Sequence, residues 1–374
     1  MHYVIVSDLH LGAGDDREDF LLWGDRPNGP TPVERPAAMA ALDATFARFL
    51  DGQRAAAHEQ GLAPHLLMLG DVLDLWQARQ HREPWSYTLV RVLQAHPGFV
   101  AALRSWIADG GQLTWVVGNH DQPVVDRASW EVVREVFSTI NAHAAGAPVH
   151  YFADPGAGLY AEHGHRWDPF NRILHPTKPD ADCLGFRIVR LLVNQLEPFF
   201  PLVDKGADLV TLLELLWEAA QHADLPGFEK VAPEVIRWIG RASRPACALI
   251  QELEHFLARR ERPDFARVGA EQSHSIARGI RRGLEGRRGA LTGPAPDHLR
   301  FFVSGHTHHA HLTPVRTRAH GEVVVMNPGS WRPVAKVERR DGQTRISVTQ
   351  EPGAIILSPS AGAWEARPVT APLT

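Results

Sequence analysis

Tyr3-Val4-Ile5-Val6-Ser7-Asp8-Leu9-His10 opens the chain and sets its reading. A short apolar run of β-branched and aromatic residues ends on a carboxylate and an imidazole two positions apart. The run reads as a buried strand and its polar end as the site-bearing part. Four later segments repeat this layout in a fixed order. Gly70-Asp71-Val72-Leu73-Asp74 follows His65-Leu66-Leu67-Met68-Leu69, and Gly118-Asn119-His120-Asp121 follows Leu113-Thr114-Trp115-Val116-Val117. His163-Gly164-His165 follows residues 158–162, and Gly305-His306-Thr307-His308 follows Phe301. Residues 37–60 have helical spacing through Met39, Leu42, Phe46, Phe49 and Leu50, and residues 85–109 and 129–140 also read as helices. Strands alternating with helices, then a β-rich end over 301–357, predict an α/β sandwich with its ligands at strand ends.

The donors are carboxylate, amide and imidazole, without a thiolate. They suit Mn, Fe, Zn or Mg. Alternation along a strand would turn Asp8 and His10 to one side, and His306 with His308 repeats the spacing. Seven such donors are enough for two ions sharing one carboxylate.

The order DxH, GDxxD, GNHD, HG, GHxH resembles the calcineurin-like metallophosphoesterase superfamily. The resemblance covers residues 1–165 and 299–357, and Met326-Asn327-Pro328-Gly329-Ser330 resembles a segment that follows GHxH in many members. It implies a four-layer αββα sandwich and two divalent metal ions, manganese first among those named. It implies that Asp8, His10, Asp71 and His308 hold one ion. Asp71, Asn119, His163 and His306 hold the other. His120 would serve the leaving oxygen, with Asp121 orienting it. The implied chemistry is in-line attack on phosphorus by a hydroxide held between the ions, without a covalent intermediate.

Composition narrows the class. The 374 residues carry a net charge of −4, which argues against a general nucleic-acid binder. Two cysteines, Cys183 and Cys247, build no disulfide framework and suit a reduced, cytoplasmic protein. The start shows no signal-peptide pattern, and no apolar stretch is long enough to span a membrane.

The expected organisation is a core of residues 1–168 and 299–357, a helical cap inserted over 169–298, and a loose tail over 358–374. The cap reads as helices near 187–196, 209–220 and 234–257. Between residues 256 and 300 ten arginines face five acids, a segment able to grip an anionic substrate or a lipid surface. An apolar cap beside a metal site suggests a phosphate carried on a greasy body. Ser7-Asp8-Leu9-His10-Leu11 with this insertion resembles the UDP-2,3-diacylglucosamine pyrophosphohydrolases. That resemblance implies a phosphorylated small-molecule or lipid substrate and peripheral membrane contact. Asn119-His120-Asp121 and His163-Gly164-His165 depart from their Asn-Arg-Asp and His-Gly-Asp. A phosphodiesterase or nuclease acting on nucleotides or DNA is the alternative, and a scaffold without catalysis a distant one. His165 and Arg166 are expected to touch substrate, and Asp168 and Asn171 to line the cleft. Asp74 is expected to order a ligand, and Trp23, Trp76 and Trp85 to form an apolar wall or core.

Overall fold

The computed structural model describes residues 1–14, 33–80, 83–137, 149–173, 175, 177–179, 183–194, 211, 214–215, 265–287, 289–340 and 343–372. Strand β1 (His2–Val6) lies at the centre of the first sheet. It pairs in parallel with β2 (Pro64–Leu69), which pairs in parallel with β3 (Gln112–Val116). Its alternating side chains face two cores. Val4 and Val6 pack with helices α1 (Arg35–Glu59), α3 (Trp85–Ala95), α4 (Pro97–Ala108) and α5 (Arg127–Val136) through Leu42, Phe46, Leu89, Phe99, Trp106 and Val133. A short helix α2 (Leu75–Ala78) follows the second motif. Tyr3 and Ile5 face the second sheet and meet Phe152, Leu159, Phe301, Val303 and Met326. Each fully buried Leu, Ile, Val or Phe contributes roughly 1.5–3 kcal/mol, so this two-faced strand anchors both cores.

The second sheet has the order β4-β5-β6-β8-β7. Its members are β4 (Phe152–Asp154), β5 (Leu159–Ala161), β6 (Phe301–Val303), β7 (His311–Thr317) and β8 (Gly321–Asn327). Strands β5, β6 and β8 run parallel, which places the motifs after residues 161 and 303 side by side despite their distance in sequence. Tyr3 Oη donates to Asp154 Oδ2 across the sandwich at 2.5 Å. A separate ribbon joins β9 (Val334–Arg340) and β10 (Gln343–Thr349).

The α/β sandwich is as expected, and three details are not. Residues 85–109 form two helices, because Pro97 lacks an N–H and disfavours helical backbone at His96. Asp43 occupies the break, accepting from His96 Nδ1 at 2.9 Å and Gly98 N at 3.0 Å. The segment expected to be a loose tail instead supplies the end of β11 (Gly353–Ser360) and all of β12 (Ala363–Thr370). Strand β11 extends the first sheet antiparallel to β1, β12 pairs antiparallel with β11 at the edge, and Trp364 lies against Tyr3.

The third correction concerns the insertion. Helix α7 (Phe265–Leu284) lies inside the expected cap range, yet Ile276, Ile280 and Leu284 pack with Tyr160, Phe302 and Val325 on the outer face of the second sheet. It is the fourth layer of the αββα arrangement. The other described parts of the insertion are α6 (Leu184–Ile188), a π-helical turn at Val189–Val193, and Leu215, which packs on Ala335 of the ribbon. The expected helices over 234–257 lie outside the described residues, as do most of 209–220 and Trp23. No described helix is long and apolar enough to cross a membrane.

Truncation after Ser360 is expected to cost at least about 1 kcal/mol, a fall in Tm of roughly 2–4 °C. A thermal melt unchanged by the truncation would mean that β12 contributes nothing.

Candidate metal centre

Three neighbouring parallel strands of the first sheet end at one edge and deliver Asp8 and His10, Asp71, and Asn119 with His120. Strands β5 and β6 of the second sheet deliver His163, His306 and His308 to the same place. The loops are sewn together by their backbones. Asp8 N donates to Gly70 O at 3.1 Å, His10 N to Asp71 O at 2.9 Å, Leu11 N to Val72 O at 3.0 Å, and Asp74 N to Leu11 O at 2.9 Å. Asp8 Oδ2 accepts from His306 N at 3.0 Å, and Asp71 Oδ1 from His120 N at 2.8 Å. The Met326–Ser330 segment supports the last loop, with Asn327 Nδ2 on Gly305 O at 2.9 Å and Ser330 Oγ on Asp8 O at 2.8 Å.

The expected strand alternation does not present these side chains. Strand β1 ends at Val6 and β6 at Val303, before their motifs begin. Asp8, His10, Asp71, His306 and His308 instead have φ of 55°, 52°, 49°, 70° and 58°, in the left-handed region. Ala361 is the other non-glycine residue there among those described. Such backbone costs about 1–2 kcal/mol per residue for an L side chain and persists where its surroundings impose it. Two glycines permit the close approach. A Cβ on Gly118 would run into the Asp71 carboxylate, and one on Gly305 into Ser7 Oγ and Asp8 Oδ2.

Three groups of donors converge among the described residues, His10–Asp74–His120, Asp8–His10–His308 and Asp71–His163–His306. In the last two, lone pairs face lone pairs. His163 Nδ1 donates to Leu69 O at 2.9 Å, which leaves Nε2 as an acceptor in the neutral ring. That nitrogen lies 3.1 Å from Asn119 Oδ1 and 3.1 Å from Asp71 Oδ2. His10 Nδ1 lies 3.3 Å from Asp74 Oδ2, so its Nε2 faces His308 Nε2, also at 3.3 Å. His308 Nε2 is 3.2 Å from Asp8 Oδ1, a buried oxygen without a hydrogen-bond partner among the described residues. Acceptors do not gather out of water unless a proton or a cation sits among them. Oxygen and imidazole donors in this number fit two divalent ions. Asp71 Oδ2 lies 3.1 Å from His163 Nε2 and 3.9 Å from His10 Nε2.

The electrostatics agree. Burial works against charge on His163, but Asp71 and Asp8 outweigh it and raise the imidazole to about 9. Burial and Arg332 push His308 down to about 3, leaving it neutral with a lone pair to give. Burial also opposes charge on His120, and Asp74 and Asp71 overcome it and raise its pKa.

Asp74, not Asp121, orients His120. Asp74 Oδ1 pairs with His120 Nδ1 at 2.8 Å while its other oxygen holds His10. The indole of Trp76 stacks on the His120 ring at 4.1 Å. The Asp121 carboxylate is committed to Leu73 N at 2.8 Å, Val72 N at 3.2 Å and Trp115 Nε1 at 3.1 Å. It ties the second motif to the third. Adjacency in sequence suggested otherwise, because a side chain next to His120 in the chain need not point along it.

The clusters open into a cavity of about 290 Å³. His10, Asp71, Asn119, His120, His306 and His308 are part of its lining. Trp76, Phe170, Ile188, Val189, Val193 and Ile276 give it an apolar wall, and Asp168, Asn171, Gln272 and Arg332 add polar groups. Asp168 and Asn171 therefore sit where expected, and His309 joins them. His165 and Arg166 do not belong to this lining. His165 lies beside His163 at a ring separation of 5.4 Å, and Arg166 bonds Thr292 Oγ1 and Gly289 O, both at 3.1 Å. Trp85 is core, beneath Arg79. Of the arginine-rich segment, Arg278, Arg281, Arg282, Arg287 and Arg300 are exposed. The arginine at the cavity is Arg332, which sequence reading missed. Its signal was its place just after the Asn327-Pro328-Gly329-Ser330 segment.

A family model described as calcineurin-like phosphoesterase matches residues 1–212. The match spans the first four motifs, and the fold brings the fifth beside them. No curated protein matches the chain significantly.

Two outcomes are expected. Gly118→Ala should abolish tight metal binding while the protein still folds, as read by calorimetry and circular dichroism. Retained affinity would contradict the close approach. Manganese loading at pH 7–8 should release protons, because the cation displaces the one His163 holds up to about 9. The release should fade above that pH. Calorimetry in buffers of different ionisation enthalpy measures it, and a zero proton count would contradict the assignment.

Proposed function

Because the chain belongs to the calcineurin-like phosphoesterase family and is a phosphoric ester hydrolase, we propose that it cleaves a phosphodiester or pyrophosphate bond in a substrate with an apolar body. A lipid-linked nucleotide such as UDP-2,3-diacylglucosamine is the form we favour. The observation that carries this reading is the cavity, whose lining combines buried carboxylates and imidazoles with apolar side chains. Asp8, His10, Asp71 and His308 would hold one divalent ion, manganese in our reading. Asp71, Asn119, His163 and His306 would hold a second. Together such ions supply positive charge to phosphoryl oxygens and water of lowered pKa.

The chain's own groups do the rest. His120 is held through Nδ1 by Asp74, leaving Nε2 to give its proton to the departing oxygen. The carboxylates of Asp74 and Asp71 keep that proton in place. Trp76 fixes the ring by stacking and excludes water from one side of it. Arg332 adds a cation at the cavity that favours an anionic substrate. Phe170, Ile188, Val193 and Ile276 would receive acyl carbon, each buried CH₂ adding about 0.8 kcal/mol. An acyl-bearing substrate would reach the cavity from a membrane surface, which makes peripheral contact part of the proposal.

The experiment is a panel assayed with manganese, with and without chelator. It contains UDP-2,3-diacylglucosamine, bis-p-nitrophenyl phosphate, cyclic AMP and single-stranded DNA. Chelator-sensitive release of UMP, with the lipid substrate preferred, is expected. Preference for DNA or the cyclic nucleotide would overturn the substrate class and leave the hydrolase in place. His120→Ala should slow a substrate with a poor leaving group by roughly 10²–10⁴-fold and leave a p-nitrophenyl ester much less affected. Equal losses on both would remove His120 from the leaving-group side.

A further inference from the structure

The two histidines of Gly305-His306-Thr307-His308 are held differently. His308 Nδ1 is buried without a hydrogen-bond partner among the described residues. His306 Nε2 lies 2.9 Å from Asp168 Oδ2. A carboxylate accepts, so His306 presents Nε2–H to it and keeps its lone pair on Nδ1. Asp168 comes from another part of the chain, directly after the turn His165–Trp167, and is fully buried. Both its oxygens accept hydrogen bonds. Oδ2 also accepts from Asn171 Nδ2 at 2.9 Å and Gln272 Nε2 at 2.7 Å, and Oδ1 accepts from Phe170 N at 2.9 Å.

Gln272 belongs to α7, the closing helix of the insertion. That helix is fixed independently of the site. Ile276, Ile280 and Leu284 pack on the second sheet, Ser275 Oγ bonds Trp167 O at 3.1 Å, and Gly279 lies against the Trp167 indole, where a Cβ would collide with the ring. Gln272 therefore reaches Asp168 from a rigid element, and Asp168 passes that constraint to His306.

We propose that Asp168 is a positioning residue for the second cation, and that through Gln272 it makes helix α7 part of the metal centre. The inference rests on the two-ion reading above. A carboxylate on the far nitrogen of a histidine ligand fixes the ring, selects the tautomer and makes the ligand more basic. Loss of such a partner lowers metal affinity by about 10–100-fold. The insertion would then serve the chemistry directly, as well as walling the cavity.

The test is a manganese titration by calorimetry and electron paramagnetic resonance of the full chain, with Asp168→Asn and Gln272→Leu. Wild type is expected to bind two ions and to show an exchange-coupled spectrum at saturation. Asp168→Asn should weaken one site by about 10–100-fold and leave the other unchanged. At intermediate manganese its spectrum should be that of an isolated ion. Gln272→Leu, which keeps the carboxylate, should shift the same site by a smaller factor. The chelated variants should melt within a few degrees of wild type. Two unchanged sites in both variants would overturn the inference while the two-ion reading stands. Equal weakening of both sites with a large fall in Tm would assign Asp168 to fold stability alone. Should Asp168→Asn not fold, Gln272→Leu decides, and an unchanged second site there overturns the coupling to α7. One ion in wild type would remove the two-ion reading, and this inference with it.

Discussion

Left-handed backbone at the proposed ligands is the constraint on which the structure depends. Asp8, His10, Asp71, His306 and His308 each accept a conformation that costs an L residue about 1–2 kcal/mol, and they accept it within one small volume. Chain segments do not hold such geometry alone. Here the hydrogen bonds between the first and second motif loops, and from His306 N to Asp8, impose it. Those bonds need the loops side by side, which needs β1, β2 and β3 parallel and adjacent in one sheet, and β5 and β6 in the sheet packed against it. The sandwich is the frame that makes the strained loops affordable.

The same crowding produces the chemistry. Carboxylates and imidazole lone pairs are gathered out of water, facing one another at 3.1–3.3 Å. Their mutual cost calls for positive charge among them, and Asp71 Oδ2 lies within 3.9 Å of His163 and His10. Outside the clusters lies a second ring of carboxylates. Asp74 serves His10 and His120, Asp121 ties the second loop to the third, and Asp168 serves His306. Asp74 and Asp168 face one nitrogen each of His10, His120 and His306, while the Leu69 carbonyl does the same for His163.

Much of this was legible in the sequence. Apolar runs capped by polar motifs read correctly as strands, and Tyr3-Val4-Ile5-Val6 identified a strand buried on both faces. What could not be read is backbone conformation. The i, i+2 spacing of Asp8 and His10 suggested a pleated strand, yet both sit in a loop beyond it, and although Asp and His are enriched at positive φ, residue type does not say which of them adopt it. Partner choice was equally hidden. Asp121 adjoins His120 in sequence but turns to backbone amides, while Asp74, 46 residues away, holds the ring. The break at Pro97 was readable from proline chemistry and was passed over because apolar spacing continued through it. The β12 strand was missed because an exposed edge strand carries a weak pattern, and Pro368 within it weakens that pattern further. The apolar stripe in the arginine-rich stretch makes α7 a layer of the fold, and the arginines described there, Arg278, Arg281, Arg282, Arg287 and Arg300, are exposed.

Anomalous diffraction at the manganese edge, from crystals of the loaded protein, tests the central claim most directly. The account predicts two manganese peaks, one bounded by Asp8, His10 and His308, the other by Asn119, His163 and His306, with Asp71 between them. A single peak, or a peak enclosed by His10, Asp74 and His120, would contradict it, because those last three would then be ligands and His120 could not serve the leaving oxygen.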